Sequence, residues 1–166
     1  GRGLPQAFKG RRLYLRRLWG RGLLVTIPAM RQVKRSALVA QPPSRMFALI
    51  NDIESYPAFV PGVTHARVES RSPTEIVATL GVKKGPMHAE ITTRNTLEHD
   101  RRIVMNLLQG PFRELEGQWT LTPVGLDGCR VDFSMRFAFK DPLSAVVFVP
   151  IFEQTASCLV DAFIAR

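Results

Sequence analysis

The sequence predicts an α+β domain, a strongly curved seven-stranded antiparallel sheet wrapped around one long C-terminal helix, with two short helices after the first strand. Three observations carry this prediction. Apolar and polar residues alternate through Glu114–Thr122 and again through Val131–Phe139, which marks strands with one buried and one wet face. The breaks between strand-like segments are short and hold turn residues: Ser72-Pro73, Lys84-Gly85-Pro86, His99-Asp100, Gly110-Pro111 and Asp127-Gly128. Successive strands are therefore hairpin partners. Beyond Pro142 the period changes: Leu143, Val146, Val147, Ile151, Thr155, Leu159 and Phe163 recur at three- and four-residue spacing, the stripe of a helix.

In chain order, residues 32–40 read as the first strand, ended by Pro42 and Pro43. Ser44–Ile50 is a short helix with Met46, Phe47 and Ile50 as its apolar stripe. Asn51–Pro61 is a helical turn pinned by Pro57 and Pro61. Four strands follow, His65–Ser70, Glu75–Val82, Met87–Leu97 and Arg102–Leu108. In the last two strands the odd positions face inward: Leu115, Gly117, Trp119 and Leu121, then Val131, Phe133, Met135, Phe137 and Phe139. Pro150 falls inside the C-terminal helix and is expected to kink or split it. The helix must cover the sheet's apolar face, so the architecture encloses space between the two.

The chain has 166 residues, 45% of them apolar, enough for a real core without metal or disulfide staples. Cys129 and Cys158 lack CxxC spacing and fit buried, reduced thiols. No apolar run approaches the roughly 20 residues of a membrane-spanning helix. The net charge of +9 is unevenly spread: seven of the 23 basic residues and none of the 14 acids lie within residues 1–30, which leaves +2 for residues 31–166. Overall charge is therefore no argument that the domain binds DNA. Residues 1–29 read as a basic leader, either without a fold of its own or upstream of a natural start at Met30. An amphipathic surface helix or an RNA-binding arm is the alternative.

Catalytic machinery is thin. His65, His88 and His99 are scattered with no metal-ligand spacing, and no GxSxG, HExxH, P-loop or GxGxxG motif occurs. Glu114 with Glu116 and His88 with Glu90 lie on wet faces, as solvated pairs. The chain is expected not to be an enzyme and to use no catalytic cofactor. What stands out is the apolar inward face, Leu107, Phe112, Leu115, Trp119, Phe133, Met135 and Phe137, together with Phe152, Leu159 and Phe163 of the helix. These form either simple core or the lining of an apolar pocket. Tyr56, Phe59, Val60 and Pro61 present apolar surface from a proline-pinned loop, as a plug or a gate. The inward parity shows almost no polar group.

At these residues the sequence resembles a known family. The stretch Arg35-Ser36-Ala37-Leu38-Val39, then Asn51-Asp52 and Tyr56-Pro57-x-Phe59-x-Pro61-Gly62, is similar to the coenzyme Q-binding START-like proteins. So are Thr93-Arg94-Asn95, Met105-Asn106-Leu107, Gly110-Pro111-Phe112, Leu115-x-Gly117-x-Trp119 and Cys129-Arg130-Val131. The likeness runs over residues 31–166 and is nearer the bacterial ribosome-association toxin (RatA) branch than the mitochondrial coenzyme Q chaperones.

The resemblance implies a helix-grip (START, birch-pollen-allergen-like) fold and a tunnel for ubiquinone or a related polyprenyl lipid, carried without catalysis in support of respiration. It implies an entrance at Tyr56, Phe59, Val60 and Pro61, with Phe112, Leu115 and Trp119 in the wall. It places the protein in the cytoplasm, peripheral at the inner membrane of a bacterium, or on the matrix side in a mitochondrion. The partners it implies are the quinone or lipid and, transiently, a membrane surface. The rival function from the same family is binding of the large ribosomal subunit, for which Lys83, Lys84, Arg101, Arg102 and Arg113 are the candidate basic cluster. A polyketide cyclase or dehydratase is the third reading, and it requires polar groups inside the cavity.

Overall fold

The structure is a computed structural model that describes residues 30–165; the basic leader at 1–29 lies outside the described residues. Seven strands and two helices follow the predicted order. They are β1 (Arg31–Val39), α1 (Pro43–Asn51), a 3₁₀ turn (Ile53–Ala58), β2 (Val63–Arg71), β3 (Glu75–Lys84), β4 (Met87–Glu98), β5 (Arg102–Gln109), β6 (Phe112–Val124), β7 (Gly128–Phe139) and α2 (Pro142–Ile164). The sheet is antiparallel throughout, in the order β1-β7-β6-β5-β4-β3-β2. From β2 to β7 every neighbour is a hairpin partner, as short turns dictate. Gly85 (φ 57°) and Gly125 (φ 61°) supply left-handed backbone at two of these turns.

Helix α1 begins where Pro42 is extended (ψ 156°) and Pro43 occupies the first turn, where a missing N–H costs nothing. Its apolar stripe of Met46, Phe47, Leu49 and Ile50 is buried. The chain then tightens into the 3₁₀ turn, which accommodates Pro57.

Two local features have definable physical causes. Pro150 does not split the C-terminal helix: α2 runs as one element from Pro142 to Ile164. The carbonyl that Pro150 leaves unbonded belongs to Val146, and both residues sit on the solvent side, Val146 at 76% exposure. Water can satisfy that carbonyl, so the helix continues. The alternation expected over Glu114–Thr122 holds, and parity changes only ahead of it. Phe112, an even position, is 2% exposed because a bulge between Phe112 and Glu114 shifts the register against β7, which reverses side-chain parity.

The hairpin order also separates the candidate basic cluster. Lys83, Lys84 and Arg113 stand at the end of the sheet that carries the β3–β4 and β5–β6 turns, whereas Arg101 and Arg102 stand at the β4–β5 turn. The 12 residues of β4, at about 3.3 Å each, lie between them. Arg102 is moreover paired with Glu98 of its own hairpin.

The core lies between the concave face and α2. Trp119, Phe137, Phe139, Phe163, Met46, Ile76 and Ile103 are among its largest fully buried side chains. Ion pairs are peripheral. Arg35 of β1 holds Asp161 of α2 at 3.0 Å, with both side chains substantially exposed, an arrangement that contributes at most about 1 kcal/mol.

Candidate functional site

The inward rows of β3 to β7 do not fill the space they enclose. A cavity of about 100 Å³ remains, walled by Ala78, Leu80 and Val82 of β3, by Ile91, Thr93 and Asn95 of β4, and by Met105 of β5. Leu115 and Trp119 of β6 and Phe133 and Met135 of β7 complete the sheet side, while Ile53, Tyr56 and Val63 close one flank. Gly117, between Leu115 and Trp119, makes room for the ends of the two methionines. A Cβ there would lie 2.4 Å from the Met105 Cε and 3.5 Å from the Met135 Cε. The two thioethers fold over the bare backbone, and their flexible chains make this wall adaptable.

The sequence-derived site residues divide into three groups. Tyr56, Leu115, Trp119, Phe133 and Met135 line the cavity. Phe112 and Phe137 are buried instead in an aromatic cluster with Phe139, at centroid distances of 6.1 Å and 4.6 Å from Phe112. Phe59, Val60, Pro61 and Leu107 do not line the cavity. Val60 is buried, Phe59 and Leu107 are half-buried, and Pro61 is exposed. The side chains of Phe152 and Leu159 lie outside the described residues.

The proline-pinned loop is seated firmly. The Tyr56 ring meets Phe163 edge-on at 5.2 Å, Phe59 meets Phe163 at 5.3 Å, and Trp119 meets Phe163 at 5.6 Å. The Tyr56 hydroxyl donates to the Ile50 carbonyl at the end of α1. Burial, with Asp52 nearby, pushes the phenol well above its ordinary value of 10.0, so it stays neutral. The other wall side chains carry no ionisable group. The lining is uncharged, and an ionic ligand would lose its hydration with no compensating partner.

Sequence reasoning missed the polar part of this wall. Thr93 and Asn95 both face inward, and Asn95 is only 5% exposed. The Thr93 hydroxyl donates to Asn95 Oδ1 at 2.9 Å. Among the described residues no acceptor is paired with Asn95 Nδ2. The one sealed, unpaired side-chain polar atom among the described residues is Asn51 Oδ1, so Asn95 Nδ2 stands on the cavity wall with access to the cavity. The signal was available: the odd positions of β4 read Met87, Ala89, Ile91, Thr93, Asn95 and Leu97, an apolar row interrupted by two polar residues. The expectation that the inward face holds almost no polar group is thereby corrected.

Elsewhere the chemistry is sparse. Among the described residues no three His, Cys, Asp or Glu side chains come together as a metal site. His65 and Glu90 do pair at 2.8 Å, but on the outer face and largely exposed. Burial raises the Cys129 thiol above its usual value, which keeps it protonated and unreactive. Among the described residues no helix is long and apolar enough to cross a membrane.

Comparison with known proteins gives the same picture. The chain is 37% identical over 145 residues to the ribosome association toxin RatA of Escherichia coli K12, covering 87% of this chain and 92% of that protein. It is 28% identical over 135 residues to the mitochondrial coenzyme Q-binding protein COQ10 of Drosophila melanogaster, covering 78% of this chain and 55% of that one. Among solved structures, the Zhui aromatase/cyclase from a Streptomyces superimposes with a TM-score of 0.73 at 17% identity, covering 82% of this chain and 92% of that one. An 18 kDa protein from Caulobacter crescentus superimposes at 0.65 with 29% identity, over 82% and 95% of the two chains. The fold is therefore the helix-grip fold. Residues 39–164 match the model of the family described as polyketide cyclase / dehydrase and lipid transport, and the chain belongs to that family.

Proposed function

We infer that the chain binds a polyprenyl quinone or related isoprenoid lipid in the cavity under α2 and carries it without transforming it. The observation that carries this reading is the chemistry of the lining: apolar and aromatic, adaptable at Met105 and Met135, uncharged, and with one hydrogen-bonding pair. An isoprenoid tail gains about 0.8 kcal/mol for each buried methylene, so no ionic contact is needed for retention. At about 100 Å³ the cavity is smaller than the 300–1,000 Å³ of sites that enclose drug-sized ligands. It matches part of such a molecule, and uptake of the rest requires the walls to part. The cyclase reading is weaker. Among the described wall residues Tyr56 alone is ionisable, and its proton is held by the Ile50 carbonyl, so none of them is placed as a general acid or base.

Transfer of such a ligand takes place at a membrane surface, on the cytoplasmic face of the inner membrane in a bacterial cell. Organic extraction of the purified full chain, with mass spectrometry of the extract, tests the carriage reading. A near-stoichiometric quinone or polyprenyl lipid supports it. An empty protein that also takes up no added quinone overturns it.

The identity to RatA proteins over most of both chains favours a second reading, association with the large ribosomal subunit. That activity would use the surface and leave the cavity free. Co-sedimentation with large subunits on a sucrose gradient tests it, and protein remaining at the top of the gradient rejects it.

A further inference from the structure

The inference drawn here rests on the carriage reading and assigns a role to the polar pair inside the cavity. An amide that is 5% exposed, on an otherwise apolar wall, has no structural task in view. It does not bridge elements: among the described residues its side chain bonds only to Thr93, two residues away on the same strand. Apolar residues surround it: Ile76 opposite it on β3 and Met105 opposite it on β5. The Thr93 hydroxyl donates to Oδ1, so the hydrogens on Nδ2 are left without an acceptor among the described residues. The consequence is that Nδ2, a donor, is the group left for whatever occupies the cavity.

We propose that Asn95 Nδ2 is the head-group donor of this site, held in orientation by Thr93, and that it selects ligands with a carbonyl oxygen on an apolar body. A quinone carbonyl meets that requirement, and so does the carbonyl of a neutral acyl ester. A pure hydrocarbon does not, and it leaves the donor buried and unpaired, which is how a site built to bond an oxygen discriminates against an analogue lacking one. A carboxylate is disfavoured because no cation lines the cavity. The ring would lie against the β3–β5 wall beside Met105, and the apolar remainder of the ligand would extend away from Asn95 along the aromatic and methionine surfaces.

The test displaces a fluorescent apolar dye from the full chain with three probes: decyl-ubiquinone, methyl laurate and decylbenzene. Wild type, Asn95→Leu and Thr93→Val are compared. Asn95→Leu is expected to weaken decyl-ubiquinone at least tenfold while leaving decylbenzene unchanged or tighter. Thr93→Val, which frees the amide to rotate, weakens the quinone by a smaller factor. Apo Asn95→Leu is also expected to melt no lower than wild type, because a binding donor without its ligand does not stabilise the fold.

If methyl laurate depends on Asn95 as strongly as the quinone does, the subsite stands and reads any neutral carbonyl. If only the quinone does, it reads quinones. Equal weakening of quinone and decylbenzene by both variants, or no change for either, overturns the assignment while leaving carriage intact. Wild type that binds none of the probes overturns the carriage reading itself, and the subsite with it.

Discussion

Phe163, near the end of α2, receives the edge of the Tyr56 ring at a centroid distance of 5.2 Å. Two further rings, Phe59 and Trp119, meet the same side chain at near-perpendicular angles. One residue therefore joins the helix, the proline-pinned loop and the sheet. Edge-to-face pairs contribute about 0.5–1.5 kcal/mol beyond burial. Phe163→Ala, at a side chain 1% exposed, is expected to cost about 3–5 kcal/mol. The urea midpoint measures this, with an unchanged slope showing that the fold still melts as a unit.

Tyr56 links stability to alkaline pH. Its folded-state value is raised by burial, so the proton is held more tightly in the native state than in the unfolded chain. The contribution is full below the unfolded value of 10.0 and is lost as pH rises above it. Tyr56→Phe removes the hydrogen bond to the Ile50 carbonyl and is expected to lose about 0.5–1.5 kcal/mol at pH 7. Above pH 10 wild type loses stability faster than Tyr56→Phe, and the gap between them closes. Urea midpoints from pH 7 to 11 give both curves, and a constant gap contradicts the assignment.

Gly117 makes room for Met105 of the cavity wall. A methyl at this position meets the Met105 Cε at 2.4 Å, the free end of a flexible chain, which can swing aside. Gly117→Ala is expected to fold, with a far-UV spectrum like wild type, and to take up decyl-ubiquinone at least tenfold more weakly because Met105 is driven into the cavity. Unchanged uptake would show that the space beside Met105 is not where the ligand sits.

The loop over 56–61 is the segment whose release would open the cavity flank. Phe59 is half-buried and meets the rings of Tyr56 and Phe163 edge-on, whereas Tyr56 is anchored by its hydroxyl. Phe59→Asp should therefore loosen the loop without removing the Tyr56 anchor. The variant is expected to change both lipid extraction from vesicles and docking to them. If extraction rate and vesicle co-flotation both match wild type, the loop is a plug and not a gate.

Element order was legible because turn chemistry and the switch from period two to period 3.6 are local signals. Strand parity correctly placed Leu115, Trp119, Phe133 and Met135 on one wall, since alternation survives wherever the register is regular. Phe112 is buried as expected, but a bulge decides its facing and seats it in the aromatic cluster, and bulges leave no mark in composition. Pairing Arg101 with Arg113 in one basic cluster failed because proximity at strand ends depends on which end each turn occupies. Asn95 was readable in the odd positions of β4, where a polar pair interrupts an apolar row. The contributions of Ile53 and Val63 were not readable, because they depend on how the 3₁₀ turn folds back beneath β2.

The central claim is that this cavity takes up a quinone-like lipid and returns it unchanged. Titration of delipidated full chain carrying Trp19→Phe with decyl-ubiquinone tests it most directly, because Trp119 is then the only tryptophan and stands in the cavity wall. The account predicts saturable quenching at one quinone per chain, with the quinone recovered intact on extraction. Quenching that rises linearly without saturation, as for free tryptophan in solution, would contradict it.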